Sequence, residues 1–193
     1  EYVEPGGELN QLRMYQEDKN GGMKAWYINK IVKEEDITDV ESVEVTEEGP
    51  VRACVKSVKT WGKSRFIERT YLYRSYPRIE YDMELRWLET GSDSTHSPML
   101  RATFPIQMEN PRFYNHVPFD VVERPIDGKL NGKPTPDYVK HRDVYGIKAA
   151  DEDGQEVPAQ HWADLTDGST GIALLNNSKY GHSVHEGKLR LTL

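Results

Sequence analysis

Arg78-Ile79-Glu80-Tyr81-Asp82-Met83-Glu84-Leu85-Arg86-Trp87 alternates, residue by residue, between charged and apolar side chains. Side chains of a β-strand point to opposite faces in turn. Ile79, Tyr81, Met83, Leu85 and Trp87 therefore share one face, and Arg78, Glu80, Asp82, Glu84 and Arg86 share the other. On a helix the same apolar residues would scatter around the circumference. The stretch predicts a long strand with one wet and one buried face, lying near the middle of a sheet. Burial of each apolar side chain would contribute ~1.5–3 kcal/mol.

Working outward, the preceding segment behaves in the same way. Val51, Ala53 and Val55 alternate with Arg52, Cys54 and Lys56, and Trp61-Gly62-Lys63-Ser64 supplies a glycine for a hairpin turn. Residues 65–74 are rich in β-branched and aromatic side chains and end at Ser75-Tyr76-Pro77, so three antiparallel strands form a meander. Val40 to Val45 reads as a further strand closed by Glu47-Glu48-Gly49-Pro50. Downstream, Leu100, Ala102, Phe104 and Ile106 alternate, as do Leu189, Leu191 and Leu193. Gly171-Ile172-Ala173-Leu174-Leu175 is a short apolar run typical of a buried strand. No segment carries a sustained 3.6-residue apolar period. Many short strands without helices define an all-β antiparallel sandwich. The proline- and glycine-rich stretch 125–158 is long enough to hold a boundary between sub-units.

Composition narrows the class of function. Of 193 residues, 30% are charged and 36% hydrophobic, with 11 Tyr and 4 Trp, a balance suited to a folded domain. No stretch approaches the roughly 20 apolar residues that span a bilayer, so no membrane partner is expected. The net charge of −7, with basic and acidic residues interleaved, offers no phosphate track and excludes nucleic acid as a partner. With the single cysteine Cys54 there is no internal disulfide, which fits a reduced, cytoplasmic setting.

Candidate chemistry is sparse. His141-Arg142-Asp143 resembles a kinase catalytic loop, but the Asn such a loop needs is replaced by Lys148, so it reads as a solvated loop. His182 and His185 would point to opposite faces of a strand and cannot readily share a metal; they read as turn-region histidines. Cys54 lies within a strand pattern as a small buried residue. Asn176-Asn177-Ser178 has the form of a glycosylation sequon but directly follows an apolar strand, and it is discounted. Trp26, Tyr27, Tyr114, Tyr145, Trp162 and Tyr180 lie in or near loops, where a ring face can stack on a sugar; the competing role for each is packing.

Taken in order, residues 10–18 with 25–29, 39–53, 119–125, 156–165 and 171–181 together resemble the C-terminal region of glycoside hydrolase family 38 α-mannosidases. Asn10-Gln11-Leu12-Arg13-Met14-Tyr15-Gln16-Glu17-Asp18, followed by Ala25-Trp26-Tyr27-Ile28-Asn29, is similar to one family segment. Asp39-Val40-Glu41-Ser42-Val43-Glu44-Val45 through Gly49-Pro50-Val51-Arg52-Ala53 is similar to a strand pair. Phe119-Asp120-Val121-Val122-Glu123-Arg124-Pro125 and Glu156-Val157-Pro158-Ala159-Gln160-His161-Trp162-Ala163-Asp164-Leu165 match in order, Gly171-Ile172-Ala173-Leu174-Leu175-Asn176-Asn177-Ser178-Lys179-Tyr180-Gly181 is the most specific, and Leu189-Arg190-Leu191-Thr192-Leu193 resembles the strand that follows.

The resemblance implies a β-sandwich of the galactose-mutarotase-like supersandwich type, covering residues 1–193 as part of a larger enzyme. It implies retaining hydrolysis of α-linked mannosides by an Asp nucleophile and an Asp acid/base around zinc. All of these belong to an N-terminal catalytic domain, which with a three-helix bundle is absent here. The fragment is then expected to be inactive alone, with no catalytic residue and no metal or cofactor of its own. Its expected partners are that catalytic domain and a mannoside, and a homo-oligomer is left open. His141-Arg142-Asp143 also fails the family's zinc motif, since Gly146 stands where that motif has Trp. The chain departs from the family at Lys24, Tyr27 and Asn177, each in place of Asp.

The alternative is an independent, non-catalytic carbohydrate-binding sandwich; an upstream His-x-Asp-x-x-Trp would favour the enzyme. Asn177, Lys179 and Tyr180, with Trp26, are the candidates for the sugar-site rim or the interface with the catalytic domain. Such a polar turn at the end of a rigid strand can aim side chains accurately. A turn in which the Asn side chains merely bond their own backbone is the competing reading.

Overall fold

The computed structural model describes residues 3, 5–20, 28, 30–126, 129–130, 133–134 and 156–193. Every regular element among them is a strand, sixteen in all. The chain divides into two compact units, one of Glu1–Glu35 with Ser92–Leu193 and one of Asp36–Gly91. The expected sub-boundary within 125–158 falls largely outside the described residues.

The first unit holds two main sheets. One has six strands in the order β12 (Val157–Pro158), β15 (Gly181–His185), β16 (Lys188–Thr192), β7 (Ser97–Pro105), β1 (Gln11–Glu17) and β2 (Ile31–Asp36). The other has four, in the order β14 (Gly171–Leu175), β13 (Trp162–Thr166), β8 (Arg112–Val117) and β9 (Asp120–Arg124). A short hairpin, β10 (Lys129–Leu130) with β11 (Lys133–Pro134), completes the unit.

Cross-strand partners in an antiparallel ladder share a face, so the register shows which side chains build the core. Leu12 pairs with Ala102 and Met14 with Leu100; Ala102 and Phe104 pair in turn with Leu191 and Leu189. All are buried. In the four-stranded sheet the buried face carries Phe113, Ala163 and Leu165, with Asn115 among them. These two apolar faces make the core of a β-sandwich, as the alternation of Leu100, Ala102, Phe104, Leu189 and Leu191 predicts.

The six-stranded sheet is buried on its second face as well, and that face is polar. Tyr15, Arg101, Thr103, Ser183 and Arg190 lie on it, each nearly fully buried. Thr103 pairs with Arg190, and Arg190 with Ser183, so they form one row across three strands.

The second unit is the meander read from the sequence. β3 (Asp39–Glu48), β4 (Arg52–Trp61), β5 (Ser64–Tyr73) and β6 (Ile79–Arg86) follow in chain order, each antiparallel to the next. The β4–β5 turn is Gly62-Lys63, and Gly62 takes φ +58°, a conformation that glycine adopts without steric cost. One face is laced with ion pairs: Arg52–Glu47, Lys56–Glu44 and Arg69–Asp82 at 2.8, 2.8 and 3.7 Å. The other carries Val40, Val43, Val45, Leu72 and Ile79, all exposed, and Phe66, which is buried.

The decisive stretch is a strand, but β6 is the edge of its sheet rather than near the middle, and Ile79 is 40% exposed. Period-two alternation reports which face is apolar and carries no information on how many neighbours the strand has. The charges on β6 suit an edge, where they discourage pairing with another chain. The apolar run in β14 is likewise an edge strand, and Leu175 at its end is 71% exposed.

Candidate functional site at the arch of the sandwich

The segment Asn176-Asn177-Ser178-Lys179-Tyr180 carries the chain from β14 in one sheet to β15 in the other. It is therefore an arch across the sandwich edge, not a hairpin within one sheet. Ser178 takes φ +68° at its tip. The base is fixed on both sides. The Asn176 N–H donates to the His161 carbonyl at 3.0 Å, and the Ala159 N–H donates to the Tyr180 carbonyl at 2.9 Å.

Within the arch, Asn176 Oδ1 accepts the Lys179 N–H at 2.7 Å. The Asn176 amide nitrogen lies 3.3 Å from His182 Nε2, and His182 Nδ1 lies 3.2 Å from the Tyr180 carbonyl. The side chains at the tip are exposed: Asn177, Lys179, and Tyr180 at 57%. The Ser178 hydroxyl donates to Asn177 Oδ1 at 3.0 Å.

A row of rings stands at the same end. His116 on β8 stacks on His161, with centroids 5.0 Å apart, and on Trp162, at 5.8 Å. The Gln160 N–H donates to the His116 carbonyl at 2.8 Å, tying the β12–β13 corner to β8. On the same face of β13, Asp164 sits beside Gly171, and burial pushes its carboxyl above the usual range. Arg112 and Glu123 pair at 2.5 Å, with the guanidinium over the Tyr114 ring.

The structure thus brings Asn177, Lys179 and Tyr180 together at one exposed tip, and Trp26 lies outside the described residues. So do Lys24, Tyr27, His141, Arg142, Asp143 and Tyr145. The competing reading of the turn holds in part, because Asn176 does bond the backbone of its own arch. That engagement occupies the sequon's amide nitrogen with His182. His182 is a fully buried residue of a strand rather than a turn histidine, and His185 lies on the opposite face of β15. The His116–His161–Trp162 stack was not legible in the sequence, since only the β8–β13 pairing brings residue 116 to 161 and 162.

The tip offers an ammonium, a phenol, an amide and a ring face, the groups that recognise a neutral polyhydroxylated ligand. Glu156, beside Gly181, is already engaged by Thr192 and Arg101. Among the described residues no three His, Cys, Asp or Glu side chains converge as a metal set.

The whole chain, residues 1–193, matches the glycosyl hydrolases family 38 C-terminal domain, and the chain belongs to that family. Among curated proteins it is similar to alpha-mannosidase 2C1 of Mus musculus, with 27% identity over 130 residues. That stretch is 67% of this chain and 10% of the mouse protein, so the match covers a small part of that relative. Among the described residues no helix is long and apolar enough to cross a membrane.

Proposed function

We propose that this chain is the C-terminal β region of an α-mannosidase acting on α-linked mannosides in the cytoplasm. Its part is to support retaining hydrolysis carried out by an N-terminal domain that holds the Asp nucleophile, the Asp acid/base and zinc. The chain contributes no catalytic group. Its arch tip, Asn177, Lys179 and Tyr180, together with Trp26, lines the rim of the sugar site or the interface with the catalytic domain. The single observation that carries this reading is the exposed polar tip held on a rigid base, in a chain that matches the family's C-terminal domain over its whole length.

The test is hydrolysis of an aryl α-mannoside by the purified chain and by the full-length enzyme. Turnover only in the full-length enzyme supports the reading; turnover by the chain alone overturns it. The His116–His161–Trp162 stack favours a second reading, an independent carbohydrate-binding sandwich. Binding of mannosides by the chain alone, with no catalytic domain encoded upstream, would favour that one.

A further inference from the structure

Four groups fix the arch, and their donor and acceptor roles are forced. The Tyr180 carbonyl can only accept, so His182 Nδ1, 3.2 Å away, carries the ring proton. In a neutral imidazole the other nitrogen is then an acceptor. The Asn176 amide nitrogen, 3.3 Å from Nε2, donates to it. That orientation turns Asn176 Oδ1 toward the Lys179 N–H, which it accepts at 2.7 Å. A single relay therefore runs from Lys179 N–H through the Asn176 amide and the His182 ring to the Tyr180 carbonyl. One amide orientation and one tautomer satisfy every link.

Both ends of the relay act on the backbone of the residues that project into solvent. His182 is fully buried on β15, between Val157 and Leu191 of the neighbouring strands, so the anchor is rigid where the tip is free.

We propose that Asn176 and His182 are positioning residues for the sugar site: they set the arch so that Lys179 and Tyr180 are presented in one geometry, and they do so only while His182 is neutral. The proposal rests on the reading that the tip faces that site. A proton on Nε2 would set its N–H against the Asn176 N–H. Turning the amide to relieve that clash removes Oδ1 from the Lys179 N–H, so one link is lost either way. Burial opposes the charged ring and is the largest influence on it. The Tyr180 carbonyl and the Glu156 carboxylate favour the charge, while Val157 and Leu191 bring none.

The experiment uses the full-length enzyme. Hydrogen–deuterium exchange is followed over peptides spanning 176–182, corrected for the intrinsic pH dependence, alongside kcat and KM for an aryl α-mannoside across the same pH range. Wild type is expected to lose protection in the arch as pH falls, with KM rising several-fold over the same interval. Asn176→Asp keeps an acceptor for Lys179 N–H and adds one for protonated Nε2. The added carboxylate favours the protonated ring and raises its pKa, so the arch should keep its protection, and KM its low value, through the interval in which wild type loses them, the loss appearing only at lower pH where the carboxylate itself takes a proton. Arch protection independent of pH in wild type overturns the proposal without any variant, and identical pH dependence in wild type and Asn176→Asp overturns it as well. If the exchange behaves as expected and KM does not follow, the relay stands and the placement of the tip at the sugar site is what fails.

Discussion

The guanidinium of Arg101 lies over the ring of Tyr15, 4.9 Å from its centroid, and both side chains are almost completely buried on the polar face of the six-stranded sheet. A buried cation needs more than a ring face. Arg101 Nε donates to the Thr192 hydroxyl at 3.2 Å, and an Nη to Glu156 at 3.4 Å. Among the described residues its other Nη has no hydrogen-bond partner, and Glu156 is the carboxylate that Arg101 reaches.

Glu156→Gln should therefore be costly. It removes a carboxylate that is only a quarter exposed and leaves Arg101 buried without compensation. The expected loss is about 3 kcal/mol, the lower end for breaking a buried pair. Calorimetric melting of the full-length protein would register it as a lower transition for the β region. A change within 0.5 kcal/mol or so, the range of ordinary surface substitutions, would show that the pair contributes little.

Gly181→Ala should act through the same pair. A Cβ at residue 181 would overlap the Glu156 carboxyl, which Thr192 and Arg101 hold in place. The carboxyl must leave, so the cost of Gly181→Ala should largely vanish when Glu156 is already Gln. Additive effects in the double-mutant cycle would contradict this coupling.

The meander unit gives a prediction about faces. Phe66 is buried and Val43 is 64% exposed on the same face of the sheet. Phe66→Ala is expected to cost about 3–5 kcal/mol. Val43→Thr should stay within about 0.5 kcal/mol. Denaturant unfolding monitored in this unit checks both; equal effects would mean that the exposed valines are covered.

The strands of this protein were legible because alternation is a local property. The period-two patterns around Leu100, Leu189 and Tyr81 each mark a strand in the structure. Position within a sheet was not legible. β6 and β14 are apolar enough to be central, yet both are edges, because a neighbour is chosen by the whole topology. The candidate tip at Asn177, Lys179 and Tyr180 could be named from the abrupt change from apolar to polar residues. The role of His182 could not, since its partners Asn176 and Tyr180 are set by the crossing from one sheet to the other. For the ring stack, His161 lies 45 positions beyond His116 in the chain.

His182 also sets a pH dependence of stability. Burial lowers its pKa below the ordinary 6.5, outweighing the Tyr180 carbonyl and Glu156. The unfolded chain then binds a proton that the folded chain resists. The neutral ring's contribution is complete above pH 6.5 and is lost as pH falls from there through the lowered folded value. Melting temperature should fall across that window, and His182→Phe should flatten the fall. An unchanged slope in the variant would assign the acid sensitivity to other groups.

If the arch tip serves the glycosidase site, kcat/KM for an aryl α-mannoside should fall in the full-length enzyme carrying Lys179→Ala or Tyr180→Phe. Both side chains are exposed, so neither change should move the melting temperature by more than the equivalent of about 0.5 kcal/mol. Loss of a single charged or hydroxyl contact to substrate should lower kcat/KM about tenfold, equivalent to about 1.4 kcal/mol of transition-state stabilisation. The predicted result is that fall in at least one variant at unchanged stability. Wild-type kcat/KM in both would remove the tip from the sugar site and leave the arch as a connection between two sheets.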